Sequence, residues 1–179
     1  MYRALIGCLL IVSFGVSSDA QEQVATDPWE LASLFEGSWT GSAEGRFGSS
    51  TVERTYGFIL DDAYLHEENI STYPPQDFNP DGEVHEHWSF FSYDRAQRVL
   101  VLRQFHDEHI VNHFVLNTGL TAEGLIVFDS ESMENYQQDW RAREKYRIMS
   151  KDEFIEEFYL APPGQDFELY ITTHLERTD

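Results

Sequence analysis

From Gly37 onward the chain runs as short stretches of alternating apolar and polar residues, each cut off by turn-forming residues. Such runs predict strands, whose side chains alternate between two faces. There are ten: 38–47, 51–60, 63–73, 84–93, 98–106, 109–117, 123–129, 139–149, 153–161 and 167–177. Tight turns are expected at 61–62, 94–97, 107–108, 150–152 and 162–165, where Asp, Ser, Pro and Gly collect. Longer loops fall at 74–83 and 130–138. Before the strands, Asp27-Pro28-Trp29-Glu30 opens a short helix. Asp27 suits its cap, Pro28 its first position, and Gly37 ends it.

Strands joined by short connections pair antiparallel as a meander. An open sheet of that width leaves two edges, and closure removes them. The expected fold is therefore all-β: a closed antiparallel up-and-down barrel of about ten strands over 37–179, after a short N-terminal helix in the segment 21–36. A barrel of this size encloses more room than side chains fill, so a cavity is expected. A two-sheet sandwich is the alternative.

The tight turns set a register. A four-residue loop at 94–97 pairs Tyr93 with Arg98 and sets Trp88 opposite Arg103. A two-residue turn at Asp107-Glu108 pairs His106 with His109 and sets Arg103 opposite Asn112. One face then carries Trp88, Phe90, Phe105 and Phe114 with Glu86, Arg103 and Asn112, and this apolar face is expected to line the interior. Arg103 would orient an acidic or carbonyl head group there, or pair with Glu86. The opposite, solvent face carries His85, His87, His106 and His109, a weak candidate metal cluster. On the eighth run, Arg141, Arg143, Lys145 and Arg147 alternate with Ala142, Glu144, Tyr146 and Ile148. The basic set is expected outside, and Glu144 and Tyr146 inside. Arg54 joins the inward polar candidates.

The first residues add a targeting expectation. Met1-Tyr2-Arg3, the apolar run 4–16, and Ser18 and Ala20 before Gln21 have the layout of a signal peptide over 1–20. The run is too short for a membrane span. Export to the periplasm or outside the cell follows. The single cysteine, Cys8, lies in that leader, so stability must come from a core rather than disulfides. Thirteen Phe, nine Tyr and four Trp supply one. With 32 Asp and Glu against 12 Lys and Arg, the net charge is −20, which repels nucleic acid and anionic lipid alike.

Leu34-Phe35-Glu36-Gly37-Ser38-Trp39-Thr40-Gly41 after a helix, followed by a long meander, resembles the lipocalin-like, calycin group. Ten strands bring it nearest to that group's fatty-acid-binding and nitrobindin-like branch. The resemblance implies a ligand-binding barrel for apolar acids or for haem. Nitrobindin-like domains ligate haem through a last-strand His. Matching Leu175-Glu176-Arg177 to their ending places Tyr170 at that position, with His174 further along.

Three functions remain. The first is an exported barrel that sequesters or carries a small, largely apolar molecule with an acidic or carbonyl head group. The second is an enzyme in the same cavity, isomerase-like or haem-dependent, with Glu144 or Glu86 as acid or base. The third is a packed structural domain. Binding is favoured over catalysis, and the cofactor is unknown.

Overall fold

The computed structural model describes residues 28–77 and 79–178. The expected signal peptide and the Asp27 cap lie outside the described residues. Helix α1 (Pro28–Ser33) leads into β1 (Gly37–Gly45), β2 (Gly48–Ile59), β3 (Tyr64–Tyr73), β4 (Glu83–Asp94), β5 (Val99–His106), β6 (Val111–Leu116), β7 (Leu125–Glu134), β8 (Arg141–Ser150), β9 (Glu153–Ala161) and β10 (Glu168–Arg177). Every strand pairs antiparallel with its sequence neighbours, and β1 also pairs with β10, which closes a ten-stranded barrel. No helix among the described residues is long and apolar enough to cross a membrane.

The strand rule shows best on β2 and β3. Val52, Arg54 and Tyr56 are buried and alternate with exposed neighbours, as do Leu65, Glu67, Asn69 and Ser71. On β8 the basic residues lie outside while Ala142, Glu144 and Tyr146 are buried. β7 runs on to Glu134, through much of the expected loop.

Helix α1 and the segment after it close one end. Phe35 enters the barrel and meets the rings of Tyr56, Phe91, Tyr146 and Phe154 at centroid distances of 5.4, 5.9, 5.0 and 5.1 Å. Trp39 Nε1 donates to the Phe35 carbonyl (2.7 Å), and Arg177 lies 4.2 Å over the Trp39 ring. Arg177 also donates to the carbonyls of Glu36 and Leu34, tying the last strand to the entry segment. An apolar floor results.

Gly41 lies on the closing seam, opposite Leu175. A Cβ there would sit 1.8 Å from the His174 carbonyl oxygen, a backbone atom that cannot move alone. Gly41→Ala is expected to lower unfolding stability by at least ~2 kcal/mol in urea titration. At Gly57 an added Cβ meets nothing within 4 Å. Gly57→Ala is the control, neutral or stabilising by up to ~1 kcal/mol.

The register around β5 departs from expectation in two ways. Asp94 starts the first turn and stays paired with Val99; its side chain accepts from the amides of Ala96 and Gln97 at 2.8 and 2.9 Å. Trp88 therefore faces Phe105, not Arg103, and the faces of β4 and β5 keep their relation. The second turn has three residues, because His109 takes a left-handed conformation (φ 70°) and its amide bonds the His106 carbonyl. That extra residue slips β5 against β6 by one, pairing Arg103 with His113 and Gln104 with Asn112.

Candidate functional site

The connections β1–β2, β3–β4, β5–β6, β7–β8 and β9–β10 gather at the end opposite α1, which forms the mouth of the barrel. Below this mouth lies a cavity of about 550 Å³. Its upper sleeve is apolar and aromatic, from Phe47, Ile110, Met133, Tyr136, Phe158 and Tyr170. Below come polar side chains, among them Arg54, Asn69, His87, Gln104, Asn112 and Glu144. The polar layer rests on the Phe35 floor.

Arg54 on β2 is the hub of that layer. Its Nη2 donates to Glu156 (2.8 Å), its Nη1 to the Tyr56 hydroxyl (3.1 Å) and its Nε to Asn69 (2.9 Å). Glu67 Oε1 lies 3.2 Å from Nε and 3.1 Å from His87 Nε2. Burial lowers the Arg54 pKa, but Glu156, Tyr56 and Glu67 outweigh it and hold it well above the ordinary value. For Glu67, burial pushes upward, yet Arg54 and His87 bring it down to about 2. One buried cation thus faces two carboxylates, and each of its three nitrogens already has a partner.

A second chain crosses from β8 to β5 and β6. Gln104 donates to Glu144 Oε1 (3.3 Å), and Asn112 donates to Gln104 Oε1 (3.3 Å) and approaches His106 Nε2 (3.1 Å). Burial, then the charge of Glu156, raises the Glu144 pKa well above the carboxylate range. Burial thus favours the protonated form of Glu144, which can donate a hydrogen bond. Its Oε2 and Asn112 Oδ1 are buried without a hydrogen-bond partner among the described residues. Burial raises the Tyr146 hydroxyl too.

Several expected site residues are elsewhere. Trp88 and Phe105 are on the outer wall, 53% and 44% exposed, with Phe90 and His66 stacked beside them at 4.7 Å. Glu86 is exposed, and Arg103 points outward to donate to Ser92 Oγ (3.0 Å) instead of pairing with Glu86. The expected interior face of β4 and β5 is thus the exterior. Asn112 and Phe114 stay inside only because the slip between β5 and β6 returns them there. Conversely, His85, His87 and His106, expected in solvent, line the cavity, while His109 is exposed on its turn. Arg54, Glu144 and Asn112 line the cavity wall, and Tyr146 and Phe114 are buried in the core below.

For haem held from the last strand, the histidine does not fit, and of the two candidate ligands Tyr170 alone faces the cavity. A bulge between Leu169 and Ile171 shifts the alternation of β10, so Tyr170 lines the cavity but His174 is exposed opposite Ser42. No step through haem follows from these residues.

Glu67, Asn69 and Gln104 were not among the expected site residues. The signal for the first two was the alternation Leu65-x-Glu67-x-Asn69-x-Ser71, which puts three polar residues on the face of a core leucine.

No protein-family model matches the chain. No curated protein sequence matches it either. Among solved structures, the crystal structure of Rv2717c from M. tuberculosis aligns with a TM-score of 0.62 at 17% identity, covering 86% of this chain and 99% of that one. At that identity the likeness shows the fold alone, a closed antiparallel barrel consistent with the calycin type.

Proposed function

We infer that this protein is an exported binding barrel that sequesters or carries one small, largely apolar molecule with a carbonyl head group. The observation that carries this reading is the layered cavity: an aromatic sleeve above unpaired hydrogen-bonding atoms of Glu144 and Asn112. Apolar walls with a few convergent polar groups are the usual form of a small-molecule site. The protonated form of Glu144, which burial favours, donates to a carbonyl oxygen, and Asn112 Oδ1 accepts from an N–H or O–H beside that carbonyl. A charged acid head would meet Glu67 and Glu156 with no free cation to receive it, because Arg54 is already paired. This selects the carbonyl over the ionised acid. Membership of the fatty-acid-binding and nitrobindin-like branch is part of the proposal on fold, not on ligand.

The test uses the full chain, purified from the exported fraction. Native mass should exceed denatured mass by that of a bound organic molecule. Nile red, a neutral apolar dye with a ring carbonyl, should bind saturably with enhanced emission. Ile171→Trp, which fills the sleeve from β10, should remove most of that enhancement. Equal native and denatured masses together with no saturable Nile red binding would sink the reading in favour of a packed structural barrel. Retention of the chain inside the cell would overturn the export part alone.

A further inference from the structure

Strands β4 and β5 bring three imidazoles to one point of the cavity wall. His85 and His87 are two residues apart and share the inner face of β4. His106 is the cross-strand partner of His87. One ring nitrogen of each of the three lies within 4.8 Å of the others. His106 Nδ1 and His85 Nε2 are already 3.4 Å apart. Two nitrogens bonded to one tetrahedral zinc are separated by ~3.3 Å.

The far nitrogen of each ring is held. His85 Nδ1 lies 3.1 Å from Asp107 and 2.8 Å from Glu108. His87 Nε2 lies 3.1 Å from Glu67, itself fixed by Arg54. His106 Nε2 lies 3.1 Å from the Asn112 amide. Carboxylate partners on the far nitrogens of His85 and His87 fix tautomer and ring direction, which is how metal-binding histidines are set up. This arrangement leaves His85 Nε2, His87 Nδ1 and His106 Nδ1 for one another. His87 Nδ1 is buried with no hydrogen-bond partner among the described residues. A trio held together only by hydrogen bonds has no use for that atom, whereas a shared cation does.

We propose that His85, His87 and His106 form a three-histidine site for a divalent transition-metal ion, with zinc the closest match, whose fourth position opens into the cavity. Imidazole nitrogen suits Zn²⁺, Cu²⁺, Ni²⁺ and Co²⁺, and three neutral imidazoles with one open position make a common zinc arrangement. Glu67 and Glu108 add negative charge beside the ion. On binding, His106 Nε2 carries the proton and the Asn112 side chain turns so that its Oδ1, now unpaired, accepts it. The three imidazoles are not among the head-group contacts, and Asn112 alone serves both sites, so metal binding and apolar-ligand binding are read by separate probes.

A competing set shares His85. His85, Asp107 and Glu108 also offer ligand atoms within 4.8 Å of one another, with both carboxylates exposed. It would use the His85 nitrogen that the three-histidine site leaves to the carboxylates.

The test is a titration of the chelator-treated full chain with Co²⁺, followed by displacement with Zn²⁺. One equivalent of Co²⁺ should produce visible ligand-field bands typical of low coordination number, and Zn²⁺ should bleach them. His87→Ala and His106→Ala should each weaken binding at least ~100-fold, and the Asp107→Asn, Glu108→Gln pair about 10-fold. Metal-free circular dichroism checks that each variant folds; His87→Gln, which keeps a polar group against Glu67, replaces His87→Ala if that variant does not. Absence of the bands overturns the proposal. So do bands that survive His87→Ala and His106→Ala but vanish with the carboxylate pair, which would put the ion on the outer set. Nile red binding by the metal-free chain reads the organic ligand separately.

Discussion

Arg54→Ala is expected to cost about 3–5 kcal/mol of unfolding free energy at pH 7, a large fraction of the roughly 5–15 kcal/mol that holds a typical domain together. The loss comes less from the missing bonds than from what they leave behind. Glu67 and Glu156 are 0% and 7% exposed, and both lean on this one guanidinium. Removing it strands negative charge inside the barrel, where water cannot compensate. The sign of the pH dependence gives an independent check. In the native protein the Glu67 pKa falls from 4.5 to about 2. Its contribution is therefore complete above pH 4.5 and is lost as pH falls toward 2. Without Arg54, burial is opposed by His87 and Ser89 alone and the Glu67 pKa rises relative to wild type, so the variant gains relative stability as it is acidified. Urea titrations at pH 7 and pH 4.5 should show the gap to wild type narrowing at the lower pH. Glu67→Gln and Glu156→Gln in the Arg54→Met background should recover much of the loss, since an uncharged trio needs no counter-ion. A cost under ~1 kcal/mol, or a gap that widens in acid, would mean the carboxylates are solvated and the polar layer is not a closed network.

The barrel was legible because most strands obey one rule throughout. The second, third and eighth runs alternate cleanly, turn residues mark their ends, and Trp39 after Gly37 marks the entry of the first strand. The face of β4 and β5 was not legible, and the reason lies in how this barrel is layered. Its interior is apolar at the floor, with Phe91, Leu100 and Leu102, and polar higher up, with His85, His87, Gln104 and His106. Meanwhile the outer wall carries its own aromatic cluster of Trp88, Phe90 and Phe105. Summing hydrophobicity along a whole strand then picks the wrong side. The turn after His106 hid a second error. A left-handed histidine there adds one residue to the loop, and residue type alone does not announce it, because non-glycine residues take that conformation seldom. One such residue exchanges the partners of every side chain on the following strand. The bulge in β10 did the same to His174. Sites made from cross-strand neighbours inherit each of these shifts. Hence the same four histidines read as a solvent patch in sequence, while three of them stand around one point of the cavity in the fold.

Phe35→Ala carries the other large expected effect, about 3–5 kcal/mol. Phe35 is 1% exposed, and it reaches the floor from the linker after α1, not from a strand. Four aromatic rings surround it within 6 Å of its centroid, on β2, β4, β8 and β9. Truncation removes the one ring they share, and the surrounding strands cannot close in, because hydrogen bonding around the barrel fixes its girth. A dry, ring-shaped space should remain. Trp39 and Arg177 still hold the backbone of residues 34–36 from below, so the linker stays docked and the space stays enclosed. The urea midpoint should therefore fall while the m-value holds. Benzene should bind the variant and restore part of the lost stability in proportion to the logarithm of its concentration, with no effect on wild type. If instead the m-value drops and benzene has no effect, the linker has left the floor. Phe35 would then be the latch that seats α1, and the floor would depend on it for closure as well as for packing.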